Sequence, residues 1–189
     1  MNPENLIEFF EEVGKLKKIK RMGWVLRGVE NPESVAEHSF RVTLISSFAS
    51  EFFEEKLDRE KIFQMALLHE IAEVKLGDLT LVSKRLLGEE LVSKTEERIA
   101  KELLPLEKFE IFKEFEDGKT LEAKIVRASD KFEMFLQAFE LEKRQKMNLE
   151  EFWREEQNLE EIKELEFFKD LFELLSLKRE INLKNFQNL

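Results

Sequence analysis

At 189 residues the chain is long enough for one domain that buries roughly 70% of its unfolded surface. It has no cysteine, which excludes disulfides and thiolate metal sites, so any bound metal must use histidine nitrogen and carboxylate oxygen. A net charge of −10, with 41 acidic against 31 basic residues, argues against a duplex nucleic-acid partner. No apolar run approaches the ~18 residues of a membrane span, and no basic region precedes an apolar run at the N-terminus. A cytoplasmic protein with no membrane partner is therefore expected, and a 38% charged, Glu- and Lys-rich composition points to a thermophile.

Helix-period patterns fill the chain from end to end, and strand-like alternation is absent, so the expected class is all-α, a single domain over 1–189. Asn2-Pro3 has the form of an N-cap with proline at the first helical position, and Leu6, Phe9, Phe10, Val13 and Leu16 supply an apolar face. A polar, glycine-containing segment from about Lys20 to Glu33 interrupts the pattern and carries Arg21, Trp24 and Arg27. The next helix begins at Ser34, where Ser34-Val35-Ala36-Glu37 has capping-box spacing. Its stripe reads Val35, His38, Val42, Ile45, Ala49 and Phe52.

A third helix follows Asp58, with Ile62, Met65, Ala66, His69 and Ala72 on one face and Gly77 as its stop. Asp78 to Gly88 reads as a loop, then helices are expected over Glu89–Leu104 and Pro105–Glu116, with a turn at Asp117-Gly118. A long helix over about Thr120–Gln145 carries Ile125, Val126, Asp130, Met134 and Ala138. Leu149 to about Arg179 reads as one amphipathic helix, with Leu159, Ile162, Leu165, Phe168, Phe172 and Leu175 on its apolar side.

The chain has two histidines, and both fall on apolar stripes. A buried imidazole needs partners for both ring nitrogens, so each is either hydrogen-bonded in the core or bound to something else. Asp130 shares its side of the helix with Val126 and Met134, where an unpaired carboxylate is costly; an ion pair with Lys131 or Arg127 is the alternative to a ligand role. Two imidazoles and carboxylates together make a mixed nitrogen and oxygen shell suited to Mn, Fe, Co, Ni or Zn in preference to Mg.

The order His38, His69-Glu70, Asp130 resembles the HD-domain superfamily of metal-dependent phosphohydrolases. Gly23-Trp24, Pro32 to His38, Ala66 to Glu73, Gly77-Asp78-Leu79 and Ala128 to Lys131 resemble the YfbR-type 5′-deoxynucleotidases in particular. The resemblance covers about Leu16 to Glu142, with a helical extension over about 148–180. It implies a divalent metal held by His38, His69, Glu70 and Asp130, release of phosphate from deoxynucleoside 5′-monophosphates, and a homodimer. It further implies acid–base work for Glu73, contact with the sugar for Asp78, phosphate contact for Arg21 and Lys84, and a place beside the nucleoside for Trp24. Without the resemblance, Glu73 and Lys84 read as solvated charges, Asp78 as a turn residue, Trp24 as core, and Glu37 as a helix cap.

Two departures stand out. His69-Glu70 replaces the family's His-Asp, moving the carboxylate out by about one methylene. Gly23 stands directly before Trp24, where some members have arginine, and Arg21 is the nearest substitute. Two competing readings follow. One keeps the site and changes the substrate, to a phosphodiester or a nucleoside triphosphate. The other takes Glu70 as the mark of a decayed site in a nucleotide-binding or scaffold protein, with Phe167, Phe168 and Phe172 as an oligomer surface.

Overall fold

A computed structural model describes residues 3–187, so Asn2 of the expected first cap lies outside the described residues. The helices are α1 (Pro3–Val13), α2 (Met22–Val25), α3 (Val35–Ala49), α4 (Arg59–Leu68), α5 (Glu73–Leu76) and α6 (Leu81–Leu87). They continue as α7 (Glu89–Leu103), α8 (Leu106–Asp117), α9 (Leu121–Gln145), α10 (Glu150–Arg154), α11 (Glu156–Lys163) and α12 (Glu166–Gln187). Among the described residues there is no strand, only an isolated antiparallel bridge between Lys20 and Ser34. The all-α expectation holds. Among the described residues, no helix is long and apolar enough to cross a membrane.

Local chemistry fixes the helix starts. The Ser34 side chain accepts from the Glu37 backbone N–H and Glu37 reaches back to the Ser34 backbone N–H, completing the capping box of α3. Asp58 and Thr120 cap α4 and α9 with the single bond, accepting from the Lys61 and Ala123 backbone N–H groups. Gly77 ends α5 at a φ of 73°, a conformation that glycine adopts without the strain of a Cβ.

The long helix α9 is the axis of the molecule, packed against α3, α4, α8, α11 and α12. Its Ile125, Val126, Phe135, Ala138 and Leu141 are fully buried, and they meet Val42 of α3, Ile62 and Met65 of α4, and Phe168 of α12. Each such side chain contributes roughly 1.5–3 kcal/mol through removal from water. A second apolar cluster gathers Leu16, Val35, Ile71, Val74, Ala100, Leu104, Phe109 and Phe112.

Four expectations need correction. The segment after Asp78 is not a loop throughout: Thr80 accepts from the Ser83 N–H and starts α6. The third helix is divided, because the chain turns at His69 to Ala72 before resuming as α5. The C-terminal amphipathic stretch is three helices, since Glu155 is extended (ψ 110°) and a turn at Glu164-Leu165 separates α11 from α12. Finally, α1 buries nothing: Leu6 and Phe10 are exposed, Phe9 and Val13 are partly covered, and only Leu16 beyond its end is buried. Periodicity locates these faces but carries no information about whether a partner covers them.

Candidate metal centre and active-site cavity

His38 on α3, His69 at the C-terminal end of α4, and Asp130 on α9 converge because these three helices pack on one another. Glu70 joins them from the turn after α4. One donor atom from each of His38, His69, Glu70 and Asp130 lies within 4.8 Å of all the others. His38 Nε2 is 3.0 Å from Asp130 Oδ1 and 3.8 Å from Glu70 Oε1, and His69 Nε2 is also 3.8 Å from Glu70 Oε1. The extra methylene of Glu70 therefore leaves its carboxylate within the cluster.

The two imidazoles are aimed by their other nitrogens. His69 Nδ1 lies 2.8 Å from the Ala66 carbonyl in its own helix, and His38 Nδ1 lies 2.6 Å from Glu133 Oε2. Both Nε2 atoms are buried without a hydrogen-bond partner, the 3.0 Å approach to Asp130 lacking hydrogen-bond alignment. Two buried imidazole Nε2 atoms converging on two carboxylates form a donor set of the kind that fits a divalent ion, which would displace the proton of His38.

Electrostatics follow from burial and charge. Burial and Arg21 oppose a proton on His38, but Glu133 and Asp130 outweigh them and raise it to about 10. Burial lowers His69 despite the nearby carboxylates. Burial works against an ionised Glu70, yet Arg21 and the two histidines overcome it and hold the group at about 2. Asp130 is likewise held well below its usual range by Lys131 and His38 against its burial. The Lys131–Asp130 ion pair exists, at 3.0 Å, and coexists with the contact to His38. Arg127 pairs instead with Glu161.

His69, Glu70 and Asp130 line a cavity of about 420 Å³ whose walls also draw on α2, α5 to α8, α10 and α11. That volume suits a small ligand.

Comparison with known proteins places this architecture. The HD-domain family model matches residues 13–171. The chain belongs to the HD-domain family. A 5′-deoxynucleotidase HDDC2 from Dictyostelium discoideum is 39% identical over 154 residues, covering 74% of this chain and 78% of that one. The human protein of the same name is 32% identical over 145 residues, covering 73% and 69%. A conserved hypothetical protein from Pyrococcus furiosus superposes with a TM-score of 0.79 at 37% identity, covering 92% of this chain and 99% of that one. A predicted metal-dependent phosphohydrolase from Magnetospirillum magnetotacticum, 21% identical, covers 95% and 93% with a TM-score of 0.72 and shares the fold.

Within this HD domain the remaining expected residues all line the cavity: Arg21, Trp24, Glu73, Asp78 and Lys84. Arg21 Nη1 bridges Glu70 Oε1 at 2.8 Å and Asp78 Oδ1 at 2.7 Å, and Asp78 Oδ2 also accepts from the Met22 backbone N–H at 2.6 Å. Asp78 thus ties the loop after α5 to the start of α2. Glu73 is buried; burial, then the charge of Glu70, push it up to about 11, and its Oε2 has no partner. Lys84 pairs with Glu96 at 3.0 Å.

Trp24 behaves differently from a stacking platform. It is only 3% exposed, its indole N–H donates to Glu33 Oε1 at 2.9 Å, and the Phe152 ring lies against it at 4.6 Å between centroids. Phe152, from the C-terminal segment, is the partly exposed aromatic at the cavity wall. That segment is fastened across the cavity by Arg27–Glu151 at 2.6 Å, Arg85–Glu155 at 2.9 Å and Arg127–Glu161 at 2.9 Å. Sequence reasoning missed Phe152, Glu33 and Glu133. Glu133 alone left a trace, one helical turn past Asp130 and so on the same side of α9.

Proposed function

We propose that this chain is a metal-dependent 5′-deoxynucleotidase that hydrolyses deoxynucleoside 5′-monophosphates to the deoxynucleoside and inorganic phosphate. The observation that carries the reading is the pair of buried, unpartnered Nε2 atoms of His38 and His69 facing Glu70 and Asp130 at the head of a cavity walled by Arg21 and Lys84. The curated relatives named as 5′-deoxynucleotidases support the substrate class.

His38, His69, Glu70 and Asp130 would hold the ion, and a shell containing two imidazoles suits Mn, Co, Ni, Zn or Fe better than Mg. When bound there, a divalent cation would supply Lewis acidity, lowering the pKa of a water from about 16 towards 7 and offsetting the phosphoryl charge. Arg21 and Lys84 offer N–H donors to the remaining phosphoryl oxygens, and Asp78 holds Arg21 in place. As the water oxygen bonds to phosphorus and releases its proton to solvent, the bond from phosphorus to O5′ breaks. Glu73, which keeps its proton at neutral pH, delivers it to that leaving oxygen. Asp78 also lines the cavity, and a carboxylate there would crowd a ribose 2′-hydroxyl, favouring the deoxy sugar. The nucleoside packs beside Phe152, with Trp24 behind it.

The test is phosphate release from dNMPs, NMPs, dNTPs and a phosphodiester, using metal-stripped protein with each ion restored in turn. Metal-dependent release from dNMPs ahead of the other substrates is expected. Preferred cleavage of a triphosphate or diester would replace this reading with the corresponding hydrolase, and release from none would leave a binding protein.

The active form is a homodimer. On α3, Phe40, Leu44 and Phe48 are one turn apart and exposed; on the adjoining α4, Phe63 and Leu67 repeat the pattern. At ~100 Å² each these five supply more than half of the ~800 Å² per partner of a stable interface. Phe167, Phe168 and Phe172 are a poorer choice, because Phe168 is fully buried and the other two pack on the core. Phe48→Glu is expected to elute as a monomer in light-scattering chromatography where the parent protein is dimeric; a monomeric parent protein would refute the dimer.

A further inference from the structure

His38 and His69 reach the same cluster, but they are oriented by different means. His69 gives its Nδ1 proton to the Ala66 carbonyl, a group of its own helix that no side-chain substitution removes. His38 has no such backbone partner. Its Nδ1 meets Glu133, a carboxylate from α9 that is 0% exposed.

The placement of Glu133 is costly unless it has a use. Val42 and Ala49 of α3 and Phe135 and Ala138 of α9 belong to the apolar core, where a buried carboxylate is costly without partners. Both carboxylate oxygens are engaged: Oε2 with His38 at 2.6 Å, Oε1 with Arg41 Nε at 2.8 Å. Arg41 is itself held by Glu140 at 2.8 Å and by Gln137, so the carboxylate cannot swing away. Residues 133, 137 and 140 lie on one side of α9, and Asp130 precedes them by a turn.

An ionised carboxylate only accepts hydrogen bonds, so the proton of a neutral His38 must sit on Nδ1, leaving the Nε2 lone pair facing Asp130 and Glu70. We propose that Glu133 is a positioning residue, fixing the orientation and tautomer in which His38 offers Nε2 to the metal. One helix thereby supplies both a ligand, Asp130, and the orienting group for another ligand. Glu33 also comes within reach of His38 and Glu133, but its Oε1 takes the Trp24 N–H and both Glu133 oxygens are in use. The Glu133 oxygens are thus occupied by His38 and Arg41 rather than by a second ion.

This inference rests on the metal site proposed above, and the experiment separates the two. Zn²⁺ affinity is measured by chelator competition for the full chain and for Glu133→Ala and Glu133→Gln. Imidazole nitrogen and N–H proton resonances are recorded for the Zn²⁺-loaded proteins, where two histidines make assignment direct. Outer-shell partners of this kind typically contribute 10–100-fold to metal affinity, and a fall of that size is expected in Glu133→Ala, with a smaller fall in Glu133→Gln. The slowly exchanging His38 Nδ1 proton should disappear in Glu133→Ala, while the His69 signals stay in place. Zn²⁺ binding within about threefold of the parent protein in both variants, or a retained His38 Nδ1 proton, would overturn the assignment of Glu133. A purely structural role would lower thermal stability and move neither readout. If the parent protein itself binds no Zn²⁺ through its histidines, the metal site fails before Glu133 is at issue.

Discussion

His69→Ala is expected to remove nearly all metal-dependent phosphate release. The loss in kcat should be at least about 10³-fold, since the ion contributes several kcal/mol to the transition state and each 1.36 kcal/mol is tenfold. Metal affinity should fall by more than the ~10–100-fold typical of an outer-shell partner, because a ligand atom itself is gone. The helix should survive: His69 is the C-cap of α4, and besides the ligand atom the substitution removes the Nδ1 hydrogen bond to the Ala66 carbonyl and an edge-on packing on Phe115, at 5.7 Å between centroids. Calorimetric metal titration and phosphate assay on the same preparation check both numbers. A folded His69→Ala protein with ordinary turnover would mean that the ligands are wrongly assigned.

Glu73→Gln is expected to separate chemistry from metal binding. The amide keeps the shape of the carboxyl group but has no acidic proton to give, so kcat should fall by about 10²–10⁴-fold, the usual contribution of a general acid or base. Metal affinity should change little. The pH dependence carries a sign that can be worked out. Burial and the Glu70 charge push Glu73 up to about 11, so the carboxyl is protonated throughout the neutral range. A bound cation favours the carboxylate and brings that value down. As pH rises through the lowered value the acid is lost, so the kcat profile of the parent enzyme should decline on its alkaline side. The Glu73→Gln profile should lack that decline. Full activity in Glu73→Gln with the alkaline limb intact would exclude Glu73 as the acid.

How far the sequence reveals this site depends on the rarity of the residue types involved. His38 and His69 are legible because a chain with two histidines places both on apolar stripes, and Asp130 because it interrupts one. Glutamate gives no such contrast in a chain with 41 acidic residues. Glu33 matters through a tertiary contact that no local pattern announces, and Glu133 leaves only its place one turn past Asp130. The fold shows the same division. Capping at Ser34, Asp58 and Thr120 is local chemistry and is readable, whereas the breaks at Glu155 and Glu164-Leu165 interrupt an apolar period that continues across them. Phe10 and Leu6 look like core by spacing and remain exposed, because spacing describes a face and burial requires a second surface.

The wall made by α10 and α11 divides its labour between two sides. Trp153 and Ile162 face inward and belong to the core, while Glu151, Glu155 and Glu161 fasten the cavity side to arginines of three other elements. Ion pairs of this exposure each contribute about 0–1 kcal/mol, so any one of them can be exchanged without endangering the fold. The His38, His69 and Asp130 side of the site is set in packed helices and admits little change. The opposite end can drift one charge at a time, which makes it the place where lineages sharing this scaffold can acquire different appetites for their substrates.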